Sequence, residues 1–171
     1  MNRCTAEEVA AMLPLVSAQR REQALKYKHV FGQWTCLKSW LMLQKHIGNA
    51  DWHYNEYGKP YVPNRPEFSL SHCKHGIAVA VDSRPLGIDI ESIRENKPEL
   101  IARTMNEAEQ AYIGNSAVRF TELWTKKEAF LKYKGTGIID DLLHVLDNTG
   151  TVTFETIIKT NYIYTVCYEK N

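Results

Sequence analysis

Residues Leu86-Gly87-Ile88-Asp89-Ile90-Glu91 alternate strictly between large apolar side chains and small or acidic ones. Such a period of two is a strand signature. Leu86, Ile88 and Ile90 point one way, while Gly87, Asp89 and Glu91 point the other. Same-face neighbours on a strand are ~7 Å apart, so two carboxylates share one face opposite three apolar anchors. A second segment, Trp124-Thr125-Lys126-Lys127-Glu128-Ala129-Phe130-Leu131-Lys132, reads as a helix, with Glu128 and Lys132 four residues apart on one side. A strand carrying paired acids beside a helix carrying an acid and a base can build a Mg²⁺ site next to a phosphate, because hard cations are held by one or two carboxylates plus substrate phosphates. Taken singly, each feature has a plainer reading. An acidic alternation is ordinarily the wet face of an edge strand, and an i,i+4 Glu–Lys pair is ordinarily a surface ion pair of a few tenths of a kcal/mol.

The remaining bounds are those of an ordinary globular protein. The chain has 171 residues, 44% hydrophobic and 24% charged, with a formal net charge of +1. That length suits one domain, or two small lobes sharing a core. The charge balance carries no global signal for nucleic acid or membrane, and no run of about 18 apolar residues exists. The first residues carry acids and lack an apolar signal core, so the cytoplasm is the expected location. Cys4, Cys36, Cys73 and Cys167 form no Cys-x-x-Cys pair and are expected to be reduced and structural. Cys73 with His75 lacks a second ligand pair nearby.

Along the chain, Thr5-Ala6-Glu7-Glu8 is a capping box that opens a first helix, ended by Pro14. Arg20 to Lys28 reads as a basic helix. Phe31, Trp34, Leu37 and Leu41 form the stripe of another, stopped near Gly48. Trp52 and Tyr54 suggest a short strand, and Glu56-Tyr57-Gly58-Lys59-Pro60 a turn. Strands are expected at Phe68 to Leu70 and Ile77 to Val81, flanking Ser71-His72-Cys73-Lys74-His75-Gly76. Asp82-Ser83-Arg84-Pro85 is the best internal boundary, dividing lobes 1–84 and 85–171. Beyond it come the Asp89 strand, one helix from about Glu99 to Ile113, the Glu128 helix stopped by Gly135 and Gly137, and a C-terminal hairpin turning at Thr160-Asn161. No Walker-type phosphate loop is present.

Four motifs occur in order: Glu56-Tyr57-Gly58-Lys59-Pro60, Phe68-Ser69-Leu70-Ser71-His72, Gly87-Ile88-Asp89-Ile90-Glu91, and Trp124-x-x-Lys127-Glu128-Ala129-x-x-Lys132. The series resembles the 4′-phosphopantetheinyl transferases, specifically their surfactin-synthetase (Sfp) type. The resemblance implies an α+β pseudo-dimer of two similar lobes with antiparallel sheets and the active site at the lobe interface. It implies transfer of the phosphopantetheine arm of coenzyme A to a serine of an apo acyl or peptidyl carrier protein, release of adenosine 3′,5′-bisphosphate, and dependence on Mg²⁺, with Mn²⁺ as the alternative ion. A pseudo-dimer is complete as a monomer. Residue by residue, it implies that Asp89, Glu91 and Glu128 hold the metal, that Glu128 is also the general base, and that Lys132 lies on the transferring phosphates. It places Lys59 near the coenzyme A phosphates and Ser71 and His72 beside the 3′-phosphate. Lys26 and Lys28 are the leading basic-helix candidates for that phosphate, and Thr35 a further adenylate-side contact. Ser69 departs from the asparagine frequent at that position in the family. Carrier docking is expected on the second lobe, at Lys126, Lys127 and Lys134 beside Phe130 and Leu131, because the carrier helix that follows the modified serine is typically acidic in the family.

Two other functions use the same residues. A Mg²⁺-dependent pyrophosphohydrolase would cleave coenzyme A with water and need no carrier. A coenzyme-A-binding module would bind without transfer, although the complete set Asp89, Glu91, Glu128 and Lys132 argues against lost catalysis.

Overall fold

The computed structural model describes residues 4–137 and 142–170. Helix α1 (Ala6–Met12) opens on the expected capping box at Thr5 and Glu8 and runs into a 3₁₀ turn at Leu13–Leu15. Helices α2 (Ala18–Leu25) and α3 (Val30–Ile47) follow. Short strands β1 (His53–Tyr54) and β2 (Pro60–Tyr61) pair across the Lys59 turn. Strands β3 (Glu67–Cys73) and β4 (Gly76–Asp82) form a tight antiparallel hairpin. Next come β5 (Leu86–Ser92), α4 (Pro98–Thr104), α5 (Glu107–Ile113), α6 (Ala117–Lys134), a 3₁₀ turn at Leu142–His144, β6 (Val152–Ile158) and β7 (Tyr162–Glu169). The last sheet is antiparallel in the order β5-β7-β6, with Asp89 opposite Thr165. Helices with antiparallel sheets make this an α+β fold.

Three apolar clusters organise the described residues. One joins α1, α3 and the β3–β4 hairpin around Trp40, Leu43, Trp52 and Phe68. The other two lie beyond Pro85: Met105, Ile113 and Phe120 pack between α4, α5 and α6, and Ala129, Phe130 and Cys167 pack α6 on the β5-β7-β6 sheet. Arg20, the first arginine of the expected basic helix, is buried. Its guanidinium lies 4.2 and 4.0 Å from the Trp40 and Trp52 ring centroids, a double cation–π contact that clamps α2 onto the core. All four cysteines are free.

Three expectations are corrected. The single helix from Glu99 to Ile113 is two helices, because Asn106 caps α5. Its side chain accepts from the Glu109 amide while the Glu109 carboxylate accepts from its own. The basic helix ends at Leu25, leaving Lys28 beyond it. Most consequentially, the Gly87–Asp89–Glu91 face is not wet. Asp89 is only 2% exposed, since α6 lies directly on this face. A Cβ at Gly87 would come within 1.9 Å of the Ala129 carbonyl oxygen and 2.5 Å of the Tyr133 nitrogen. Glycine here allows the close approach that brings Glu128 and Lys132 over the acidic strand.

Candidate active site

Strand β5 supplies two acids and α6 a third acid and a lysine, from elements packed backbone to backbone. Lys132 Nζ donates to Asp89 Oδ1 at 2.6 Å and to Ser71 Oγ at 3.0 Å. The Ser71 hydroxyl donates to the same Oδ1 at 2.7 Å. Asp89 Oδ2 is buried and has no hydrogen-bond partner. Ser69 Oγ accepts the Ile88 amide at 3.0 Å, so two serines of β3 fasten the β3–β4 hairpin to β5.

The carboxylates strain against one another electrostatically. Glu91 is pushed up to about 7, first by burial and then by the charge of Asp89, with Glu128 adding to the rise and Arg94 and Lys132 opposing it. Glu128 is raised as well, by burial and by Asp89, against Lys132. Burial and like charge both disfavour the ionised forms. A hard divalent cation among these oxygens would reverse that effect, and the unpartnered Asp89 Oδ2 is the kind of donor such an ion takes up. Among the described residues, no group of three or more His, Cys, Asp or Glu side chains is placed to hold a metal ion on its own. Mg²⁺ is normally held by one or two carboxylates and completed by substrate phosphates and water, so the donor set suits Mg²⁺ in that mode.

A cleft of about 260 Å³ opens beside this cluster, lined by Tyr57, Lys59, Ser69, Glu128, Leu131 and Lys132 among others. Lys59 reaches it from the first half of the chain. Its Nζ donates to the Tyr133 carbonyl at 3.4 Å and lies 3.8 Å from Glu67. Burial lowers its pKa, against the pull of Glu67. Asn55, which sequence reasoning passed over, sets this geometry. Its carboxamide oxygen accepts the Tyr57 and Lys59 amides, and its nitrogen donates to the Gly135 carbonyl at 2.9 Å, tying the turn to the end of α6. The available signal was an asparagine immediately before a Glu-Tyr-Gly turn, a position where Asx turns form.

Ser71 and His72, read together as one phosphate-binding pair, face different ways. Ser71 points to Asp89, whereas His72 is exposed. The crowded His72 imidazole has a lowered pKa, first from local burial and then from Lys132, with Asp89 opposing.

Other expected contacts do not converge. Lys26 and Lys28 are exposed around the end of α2 and do not line the cleft. Thr35 is buried and spends its hydroxyl on the Phe31 carbonyl. The docking patch on α6 is largely internal. Lys127 is 0% exposed, and its ammonium donates to Glu109, the Thr104 carbonyl and the Leu142 carbonyl at 2.6–2.8 Å. Phe130 and Leu131 are buried. Lys126 stays partly open, paired with Glu122 at 2.6 Å, and Lys134 at the end of α6 is exposed. The reason is that α6 is enclosed on several sides, by β5 and β7, by the α4–α5 junction and by the cleft, so its apolar residues have internal partners.

A model of the 4′-phosphopantetheinyl transferase superfamily matches residues 85–170. A 4′-phosphopantetheinyl transferase of Bacillus subtilis is 29% identical over 169 residues, covering 88% of this chain and 75% of the relative. The 4′-phosphopantetheinyl transferase Sfp of Bacillus subtilis strain 168 is 27% identical over 168 residues, covering 87% and 75%. One from Bacillus pumilus is 40% identical over 88 residues, covering 47% of this chain and 38% of that protein.

Proposed function

The chain belongs to the 4′-phosphopantetheinyl transferase superfamily, and on that premise we propose that it moves the phosphopantetheine arm of coenzyme A onto a serine of an apo acyl or peptidyl carrier protein, releasing adenosine 3′,5′-bisphosphate. The observation that carries the reading is the meeting of Asp89, Glu128 and Lys132 beside a cleft that Lys59 enters from the other half of the chain. The two lobes, 1–84 and 85–171, would then place the ligand between them.

The chemistry follows from these groups. One or two of the carboxylates Asp89, Glu91 and Glu128 would hold Mg²⁺, with Mn²⁺ as its substitute, and substrate phosphates and water would complete the shell. When bound, the ion supplies charge neutralisation at the pyrophosphate and polarises the attacked phosphoryl group. A serine hydroxyl is a poor nucleophile, so a carboxylate must take its proton. Glu128 serves as that base, and its raised pKa improves the match to a proton taken near neutral pH. Lys132 lies on the phosphate oxygens and offsets charge that grows as the bond to the leaving group breaks. Lys59 grips phosphate that does not react, and His72 faces the 3′-phosphate end.

Mass spectrometry of an apo carrier incubated with the protein, coenzyme A and Mg²⁺ reads addition of the arm directly. Transfer that stops with chelator supports the proposal. Cleavage of coenzyme A without any carrier would replace it with the pyrophosphohydrolase reading. Tight coenzyme A binding without chemistry on any carrier would replace it with a binding module. Among the described residues no helix is long and apolar enough to cross a membrane, and the assay needs none.

A further inference from the structure

We propose that Ser71 is a positioning residue for the carboxylate of Asp89, not a ligand of the 3′-phosphate of coenzyme A. The inference rests on the proposed function and assigns a role to one of its hydroxyls. A serine hydroxyl has one proton to donate and two lone pairs. Ser71 gives that proton to Asp89 Oδ1 at 2.7 Å and receives one from Lys132 at 3.0 Å. Since Lys132 also donates to Oδ1 at 2.6 Å, three groups close a triangle around a single carboxylate oxygen. Both donors act on Oδ1, and Oδ2 is left buried without a partner. The carboxylate is thereby fixed in one rotation, with one oxygen satisfied and the other open to a cation.

The backbone explains why Ser71 and not His72 does this. Side chains on a strand alternate, so Ser69 and Ser71 share a face of β3. Ser69 fastens to the Ile88 amide, and Ser71 to the next residue of β5, Asp89. His72 falls on the opposite face and is exposed. The Ser-His pair is divided by the pleat: the serine serves the acid, and the histidine remains open to a ligand.

The test is Mn²⁺ binding by electron paramagnetic resonance, without coenzyme A, in wild type, Ser71→Ala and Ser71→Thr. Groups that orient metal ligands typically cost 10–100-fold in affinity or activity when lost. Ser71→Ala should weaken Mn²⁺ by about 10-fold or more, and Ser71→Thr, which keeps the hydroxyl, should restore most of it. In the transfer assay Ser71→Ala should lower kcat, with the same penalty for coenzyme A and dephospho-coenzyme A. Unchanged Mn²⁺ affinity in Ser71→Ala overturns the proposal, as does a wild type that takes up no Mn²⁺. A penalty that vanishes with dephospho-coenzyme A also overturns it, since the hydroxyl would then serve the 3′-phosphate. If Ser71→Ala melts early, Ser71→Thr decides: a folded Thr variant that binds Mn²⁺ no better than Ala overturns the assignment. Transfer by wild type is scored separately. Weakened Mn²⁺ binding in a protein that modifies no carrier would leave the Ser71 assignment standing and remove the functional reading.

Discussion

Lys132 has two partners in prospect and one ammonium. It pairs with Asp89 at 2.6 Å, and in the proposed reaction it must turn to phosphate. Glu128, one helical turn earlier, has no such exchange to make. Its carboxyl is raised by burial and by Asp89, so it loses its proton later than an ordinary acid as pH rises. Glu128→Gln keeps size and hydrogen bonding and removes the proposed base. Single-turnover transfer should slow by about 10²–10⁴-fold, and the acidic limb of the wild-type pH–rate profile should flatten in the variant. Near-native turnover at saturating Mg²⁺ would assign the base elsewhere. Lys59 makes a contrasting case, because the proposed function puts it on a part of the ligand that does not react. Lys59→Ala should raise the KM for coenzyme A more than it lowers kcat, the signature of lost uniform binding. A kcat defect at unchanged KM would place Lys59 on the reacting phosphate instead.

At the scale of elements, the site exists because α6 rests on β5 without an intervening side chain. Gly87→Ala would drive a methyl group into the Ala129 carbonyl at 1.9 Å and the Tyr133 amide. Neither neighbour is a flexible side-chain end that could turn away. The loss should exceed the ~1–3 kcal/mol of ordinary overpacking, measured by chemical denaturation, and transfer should fall with it. A variant of native stability would show that α6 can lift from the strand cheaply. The alternation around Gly87 made the strand and its paired acids legible in sequence, and the spacing of Glu128 and Lys132 made the helix face legible. What covers a strand face is written in another element, so the same alternation suggested solvent where α6 sits. Lys127, Phe130 and Leu131 misled for the same reason. Local sequence records a lysine beside apolar residues. It does not record Glu109 and the Thr104 and Leu142 carbonyls waiting for that lysine. Asn55 was missed because its work is done on backbone groups, one of them at Gly135, 80 residues away.

At the scale of the whole molecule, the acid cluster links stability, pH and metal. Glu91 is raised from an ordinary value of 4.5 to about 7 in the folded protein. Between those values the folded state holds a proton that the unfolded state has released. Unfolding therefore becomes easier as pH rises through this window. The contribution is fully present below about 4.5 and lost above about 7, and Glu128 acts in the same direction. His72 acts in the opposite sense. Its pKa is lowered, so its contribution is lost as pH falls. Glu91 is isolated by comparing wild type with Glu91→Gln in chelator, by thermal melts from pH 5 to 8. Wild type should lose Tm relative to the variant as pH rises, since the variant has no proton to release there. Mg²⁺ should reverse the trend for wild type, because on the proposed function the ion would bind the ionised carboxylates and stabilise the folded state in proportion to its occupancy. The Mg²⁺-induced rise in Tm should thus be larger at pH 8 than at pH 5.5, and should shrink in Glu91→Gln. Parallel melting curves for the two proteins across the range would mean that Glu91 is already ionised at pH 5 and does not feel Asp89. A Mg²⁺ effect independent of pH would place the ion away from these acids.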